Sequence, residues 1–170
     1  MTALPGTTLF DRRPPIWAAL AIAILPVVAV SLAGSAATVP QIPTWYAGLV
    51  KPPFNPPNWI FGPVWTALYA LMAFAVFRIL RVPVGTPGRR RALVLYHLQL
   101  LLNFGWSFAF FGANSPLGGL VVIVPLLIAI VATIAAFRPL DRLASGLLWP
   151  YLAWVAFATL LNGSIWWLNR

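Results

Sequence analysis

One stretch of this chain places polar side chains at helical spacing inside an apolar run. Gln99, Asn103, Trp106 and Phe110 follow one another at offsets of four, three and four residues, so they share one face of a helix. An amide is costly in hydrocarbon unless it is paired, and this face should therefore point towards other helices or a polar cavity. Amides beside an indole could bind the polar edge and the apolar face of a flat small molecule.

Two other runs carry stripes with the same helical character. Their members are Trp154, Ala158, Leu161 and Ile165, with Asn162 beside them, and Trp65, Tyr69 and Met72. The small side chain of Ala158 leaves room between bulky neighbours. Trp65, Trp106 and Trp154 lie deep in their runs, whereas the other tryptophans lie near run ends, where tryptophan often anchors a protein in the membrane interface. For the three deep tryptophans, a ligand pocket and simple aromatic packing are both open.

The composition indicates a membrane protein. Of the 170 residues, 61% are hydrophobic and 8% are charged, and the mean hydropathy is +0.89, which an ordinary soluble domain would not show. Five runs are long enough to cross a hydrocarbon core about 30 Å thick. The expected spans are residues 16–36, 58–77, 92–111, 117–137 and 143–168.

The predicted fold class is an all-α membrane protein. Residues 120–130 are apolar throughout, whereas the strands of a transmembrane barrel would alternate apolar and polar residues. We therefore predict a five-helix transmembrane bundle over residues 16–168, after an N-terminal extension of residues 1–15.

The distribution of cations predicts the orientation in the membrane. The N-terminus and the second and fourth connections share one side, and they hold or adjoin nine of the eleven cations. These nine are Arg12, Arg13, Arg78, Arg81, Arg89, Arg90, Arg91, Arg138 and Arg142, against Lys51 and Arg170 on the other side. By the positive-inside rule the N-terminus faces the cytoplasm. In a bacterium this favours the cytoplasmic membrane, with the outer membrane as the alternative.

The basic residues allow two alternative interpretations. Arg12 and Arg13 before the first run imitate a cleavable signal peptide, but the run is longer than the usual apolar core of about 7 to 15 residues. Residues 89–91 form an arginine triplet beside a span, which is expected to meet anionic lipid headgroups rather than nucleic acid.

The scarcity of acidic and nucleophilic residues excludes several functions. Asp11 and Asp141 are the only carboxylic side chains and lie outside the predicted spans, so transport coupled to an intramembrane carboxylate is not expected. Cysteine is absent and His97 stands alone, which leaves no metal cluster and no catalytic triad. His97 fits better as a helix-end residue bonded to a neighbour. The pattern favours a binding protein that requires no cofactor over an enzyme.

An aromatic and proline-rich loop separates the first two runs and is expected to cap the pocket. Its residues are Trp45, Tyr46, Lys51, Pro52, Pro53, Phe54, Asn55, Pro56 and Pro57. The prolines restrict the backbone and so lower the entropy cost of holding a lid shut. Lys51 could meet a ligand carboxylate at the wet mouth or anchor the loop in the interface.

Three blocks of the sequence carry a family resemblance. They are Trp45-Tyr46-Ala47-Gly48-Leu49-Val50-Lys51-Pro52-Pro53 with Gly62-Pro63-Val64-Trp65, then Leu102-Asn103-Phe104-Gly105-Trp106, then Pro150-Tyr151-Leu152-Ala153-Trp154 with Leu161-Asn162. In order and spacing, residues 45–166 resemble the translocator protein family. That family includes the bacterial tryptophan-rich sensory proteins and the mitochondrial peripheral benzodiazepine receptor.

The resemblance implies a five-helix bundle, usually dimeric, that binds porphyrins such as protoporphyrin IX and, in animals, cholesterol. The ligand-binding residues that it implies are Tyr46, Trp65, Asn103, Trp106, Trp154, Ala158 and Leu161, to which the polar stripe adds Gln99. The expected function is porphyrin binding with a role in tetrapyrrole sensing or transport. One alternative is light- and oxygen-dependent porphyrin breakdown, with Trp65 and Trp154 as redox partners, and a second is sterol or lipid transport.

Two departures from the family pattern and one packing motif bear on ligand and assembly. Phe54 stands where the family commonly has tryptophan, and Trp167 replaces the cation of the family's cholesterol motif, whose tyrosine region here holds Gly163 and Ser164. Separately, Gly105 and Ala109 form a small-xxx-small pair on the third helix. The pair predicts a homodimer through that helix, with tight packing inside one bundle as the alternative.

Overall fold

The computed structural model describes residues 12–170, and residues 1–11, including Asp11, lie outside the described part. The long helices are α1 (Ile16–Thr38), α3 (Phe61–Leu80), α4 (Arg89–Ser107), α5 (Pro116–Phe137) and α7 (Trp149–Leu168), with the short α2 (Trp45–Gly48) and α6 (Arg142–Gly146) between them. Together with the turns that adjoin them, the long helices form five segments that are long and apolar enough to cross a membrane. The predicted five-helix transmembrane fold is confirmed, and the chain is an integral multi-pass membrane protein.

Glycine and proline determine where two of the helices begin. Gly88 has a φ of 84°, a left-handed conformation that favours glycine, and α4 begins at the next residue, Arg89, earlier than predicted. The fifth predicted span consists of α6 and α7 rather than one helix. Pro150 lies in the first turn of α7, where its missing N–H costs no helical hydrogen bond.

The long helices surround a common core in the order α3, α1, α4, α5 and α7, and α7 returns to α3. The most extensive contact joins α4 and α5. A Cβ atom at Gly105 would lie 3.7 Å from Cγ1 of Val122, and a Cβ atom at Gly118 would lie 3.4 Å from the carbonyl oxygen of Ala109. Gly105 of α4 and Ala109, just beyond the end of α4, therefore pack closely against α5 of the same chain, and the homodimer through them stays a prediction.

Two arginines form an ion pair and hydrogen bonds at the end of the bundle where α3 meets α4 and α6. Arg78 binds Asp141 with an Nη2 to Oδ2 distance of 2.7 Å and an Nε to Oδ2 distance of 2.8 Å. Arg89 donates from Nε to the carbonyl of Ile79 and from Nη2 to that of Leu80, and so satisfies carbonyls at the C-terminal end of α3. These contacts lie at the end that the positive-inside rule assigns to the cytoplasm.

The opposite end carries the connection between α1 and α3. Val50 donates its amide to Oδ1 of Asn169, and Nδ2 of Asn169 donates to the Val50 carbonyl, both at 2.9 Å. This reciprocal pair fixes the connection to the last turn of α7. The loop thus lies at the end of the bundle away from the Arg78–Asp141 pair.

Replacing Asp141 with Asn should lower stability in a pH-dependent way. Burial alone would raise the pKa of the Asp141 carboxyl, but hydrogen bonds from Arg78 and the Ala144 amide, together with the charge of Arg78, leave that pKa below its ordinary value. A lowered pKa stabilises the fold above the unfolded-state value of about 3.9, and this contribution is lost as the pH falls further. Asn keeps the helix cap and removes the ion pair, at a cost of about 1 kcal/mol.

Thermal unfolding in detergent across pH tests this expectation. The difference between wild type and Asp141→Asn should be complete at pH 7 and should shrink below about pH 4. Arg142→Gln removes an exposed neighbouring cation and should change little. A difference for Asp141→Asn that stays constant with pH would contradict the role assigned to the ion pair.

Candidate ligand-binding cavity

A cavity of about 400 Å³ lies inside the bundle at the end that carries the loop. It is bounded by the C-terminal halves of α1 and α7, the N-terminal half of α3, the end of α4 and the connection between α1 and α3. Its volume falls in the range of about 300–1,000 Å³ that is common for small-molecule sites. The described lining residues carry no charged side chain.

Aromatic rings form one wall of this cavity, which we call the aromatic wall. Its members are Tyr46, Trp65, Tyr69, Trp106, Phe110 and Phe111. Trp106 stacks on Phe110 with ring centroids 5.5 Å apart and planes at 24°, and Trp65 lies 5.3 Å from Tyr69. Rings fixed by one another in this way offer apolar faces to a flat ligand at little entropic cost.

A π-helical turn shapes this wall. The turn covers Phe108–Gly112, and Ala113 donates its amide to the Phe108 carbonyl at 2.7 Å, five residues back. The wider turn lets the adjacent rings of Phe110 and Phe111 both point inward, with 2% and 8% of their surface exposed. The sequence stripe, built on α-helical offsets of three and four residues, contained Phe110 and missed Phe111.

Two buried asparagines hold the aromatic side chains in place. Asn103 accepts from the Tyr69 hydroxyl at 2.9 Å and donates to the Tyr151 hydroxyl at 3.3 Å. Asn162 accepts from Nε1 of Trp106 at 3.2 Å and donates to the carbonyl of Pro116 at 2.7 Å. Gly119 makes room for this second amide, because a Cβ atom there would lie 2.5 Å from Oδ1 of Asn162.

The predicted site residues divide into two groups. Tyr46, Trp65, Trp106, Ala158 and Leu161 line the cavity. The other three, Gln99, Asn103 and Trp154, do not.

Two residues of the second group contact residues of the cavity lining without lining the cavity themselves. Asn103 orients Tyr69, and the Trp154 ring lies 5.9 Å from that of Phe61, which is part of the lining. Gln99 is buried, and neither amide atom has a partner among the described residues. It lies on the same face of α4 as Asn103 but takes no part in the cavity surface.

Within the predicted lid segment, residues 45–57, it is Tyr46 that lines the cavity. Its hydroxyl donates to Oδ1 of Asn55 at 2.8 Å. Burial raises the pKa of Tyr46 to about 12, although this hydrogen bond offsets part of the rise, so the phenol is a neutral donor at physiological pH. Lys51 lies 4.7 Å over the Tyr46 ring and donates to the carbonyls of Ala47 and Leu49.

The rest of the predicted lid lies against the outside of the site. Trp45 packs edge-on against Phe110 with centroids 5.4 Å apart, and Phe54 packs against Phe157 at 6.3 Å. Pro52 and Asn55 are joined by a turn, with the Asn55 amide donating to the Pro52 carbonyl at 3.0 Å. A lid function for Trp45, Lys51, Pro52, Phe54, Asn55, Pro56 and Pro57 stays a prediction.

Sequence reasoning missed the contribution of α1. Ser31, Ser35 and Thr38 line the cavity, but the uniformly apolar character of the rest of α1 hides them. Their offsets of four and three residues place them on one helix face. This spacing could have been used to predict them from the sequence. Thr66 and Ser107 also line the cavity; Ser107 follows Asn103 by four residues and Thr66 precedes Tyr69 by three, so both lie on the faces of the predicted stripes.

Comparisons with known proteins agree with this architecture. A family model described as TspO/MBR family matches residues 12–168. The chain is 47% identical over 154 residues to the tryptophan-rich protein TspO of Chlorobaculum tepidum, covering 88% of this chain and 95% of that protein. It is 42% identical over 123 residues to the human translocator protein, covering 72% and 73%. It is 40% identical over 118 residues to the tryptophan-rich sensory protein of Cereibacter sphaeroides, covering 69% and 72%.

Fold and site together define a five-helix membrane protein with an aromatic cavity inside the bundle. The match extends over nearly the whole described chain, from Arg12 to Leu168. The chain belongs to the TspO/MBR family, and the sequence-based assignment to the translocator protein family is confirmed.

The two amides of α4 should differ in their effect on stability. Asn103→Leu leaves the hydroxyls of Tyr69 and Tyr151 without their shared partner and should cost about 1–3 kcal/mol. Gln99→Met replaces an amide that has no partner within residues 12–170 and should leave stability unchanged or raise it. Thermal unfolding in detergent, followed by tryptophan fluorescence, measures both. Equal destabilisation by the two changes would refute this division of roles.

Proposed function

We propose that this protein binds porphyrins of the protoporphyrin IX type, and other flat hydrophobic ligands, inside the bundle. The observation that carries the proposal is the aromatic wall, which faces a cavity of about 400 Å³. Trp65 and Trp106 lie on two different helices of this wall, so a planar macrocycle can contact indoles from both. Such contacts favour flat, polarisable ligands over globular ones.

The polar groups of the lining support an amphipathic ligand. The lining holds the hydroxyl-bearing residues Ser31, Ser35 and Thr38, while the ring faces of the aromatic wall remain apolar. A tetrapyrrole has the same division between an apolar ring and polar edge groups. The names of the relatives, translocator protein and tryptophan-rich sensory protein, agree with a role in transport or sensing that begins with binding.

The two alternative functions depend on different residues. Light- and oxygen-dependent porphyrin breakdown would use two tryptophans. Trp65 lines the cavity, and Trp154 packs against Phe61 of the lining. Illumination of the bound complex should then form a product in wild type and not in Trp65→Phe. Sterol transport has less support, because the helix end that would carry a cholesterol motif has Trp167 in place of a cation.

Binding should respond to tryptophan substitutions according to their place in the structure. Trp65→Leu should weaken binding of protoporphyrin IX several-fold, because it loses aromatic contact worth on the order of 1 kcal/mol. Trp154→Leu should cost less, since Trp154 reaches the cavity only through Phe61. Ala158→Thr should also weaken binding, because it adds a branched side chain to the lining. Titration of the purified protein, followed by porphyrin absorbance and tryptophan fluorescence in the dark, measures these affinities.

Trp167→Phe is the matched control for these variants. Trp167 is 59% exposed and lies under Arg170 at the end of α7, away from the cavity. Its replacement should leave affinity unchanged. Unaltered binding in Trp65→Leu and Ala158→Thr, or an equal loss in Trp167→Phe, would place the porphyrin outside the proposed cavity.

A further inference from the structure

One face of α1 presents a row of hydroxyl groups to the cavity. Ser31, Ser35 and Thr38 all line it, and their offsets of four and three residues place them along one side of the helix. At 1.5 Å per residue the row is about 10 Å long. It runs from inside the bundle to the end of α1 at Thr38.

These hydroxyls differ from the hydroxyls of four other residues in the spanning helices. Thr66, Thr133, Thr159 and Ser164 each donate to the carbonyl four residues earlier, at 2.7–2.9 Å. That bond is the usual way for a hydroxyl to be satisfied within an apolar helix. Within residues 12–170 the side chains of Ser31, Ser35 and Thr38 make no such bond, so their donors remain available to whatever occupies the cavity.

Ser107 extends the row from α1 to α4. It lines the cavity with 9% of its surface exposed, and its hydroxyl has no partner among the described residues. A Cβ atom at Gly34 would lie 3.2 Å from Oγ of Ser107, so the absence of a side chain at Gly34 lets α1 approach this hydroxyl closely. The Ser107 oxygen is not fully enclosed by protein atoms, so this hydroxyl opens onto the cavity and can donate to a ligand there.

We infer that the hydroxyl row, defined as Ser31, Ser35, Thr38 and Ser107, binds the carboxyl groups of the ligand. The inference rests on the proposed function and deepens it. The described lining holds no charged side chain, and a carboxyl oxygen forms stronger hydrogen bonds with hydroxyl donors than a neutral acceptor does. The aromatic wall holds the macrocycle, and the row selects ligands with an acidic edge over purely alkyl analogues.

Two porphyrins that share a ring and differ in their edges test the selection. Protoporphyrin IX carries two propionates, and etioporphyrin carries only alkyl groups. Wild type should bind protoporphyrin IX more tightly. The triple variant Ser31→Ala, Ser35→Ala and Thr38→Val should lose about tenfold or more in affinity for protoporphyrin IX and less than about twofold for etioporphyrin.

Thr159→Val supplies the matched control. Thr159 lies on α7 outside the cavity lining, and its hydroxyl donates to the Val155 carbonyl at 2.7 Å, so its loss should change neither affinity. Retained etioporphyrin binding shows that the triple variant is folded. If the triple variant is unstable, the single change Ser35→Ala, at an exposed position, should show the same preference in smaller measure.

The outcomes separate this inference from the proposed function. If wild type binds neither porphyrin, both fail. If it binds both porphyrins equally, or if the triple variant loses both equally, the cavity binds the ring and the hydroxyl row does not select carboxyl groups. An equal loss in Thr159→Val would also overturn the inference, because that hydroxyl lies outside the cavity and is bonded to its own helix.

Discussion

Two asparagine side chains tie the spanning helices together inside the apolar core, and the geometry of the cavity depends on them. Asn103 joins α4 to α3 and α7 through Tyr69 and Tyr151, while Asn162 joins α7 to α4 and α5. An amide in hydrocarbon must find partners inside the protein. Because these partners include the aromatic residues Tyr69 and Trp106, the same bonds that satisfy the amides also fix part of the aromatic wall.

The conformation of the backbone also determines the shape of the cavity. The π-helical turn at Phe108–Gly112 turns two successive phenylalanines inward, and Gly119 allows α5 to come close enough for Asn162 to reach the Pro116 carbonyl. At α1, the absence of a side chain at Gly34 lets this helix approach Ser107 of α4. These close approaches at small residues hold the helices around a cavity whose lining includes both the aromatic wall and the hydroxyl row.

The five spans could be predicted from the sequence because uncharged apolar runs of this length are typical of helices that cross a bilayer. The inward stripe of α4 was also predictable, since a buried amide such as Asn103 must face a partner. Three features were not predictable in this way. Gln99 shares the stripe but lies outside the cavity, because spacing gives the direction of a side chain and not its depth. Phe111 depended on a departure from α-helical geometry, and the hydroxyls of α1 were hidden by the strongly apolar composition around them.

The central claim is that the ligand occupies the space between the aromatic wall and α1. Native cysteine is absent, so a single cysteine at Ser35, in the cavity lining, can be compared with one at Ser164, which lies outside it. Labelling of each variant by N-ethylmaleimide is measured in detergent with and without saturating protoporphyrin IX. The account predicts that the porphyrin slows labelling in Ser35→Cys and leaves Ser164→Cys unaffected. Equal labelling rates with and without porphyrin in Ser35→Cys, under conditions where binding is saturated, would contradict it.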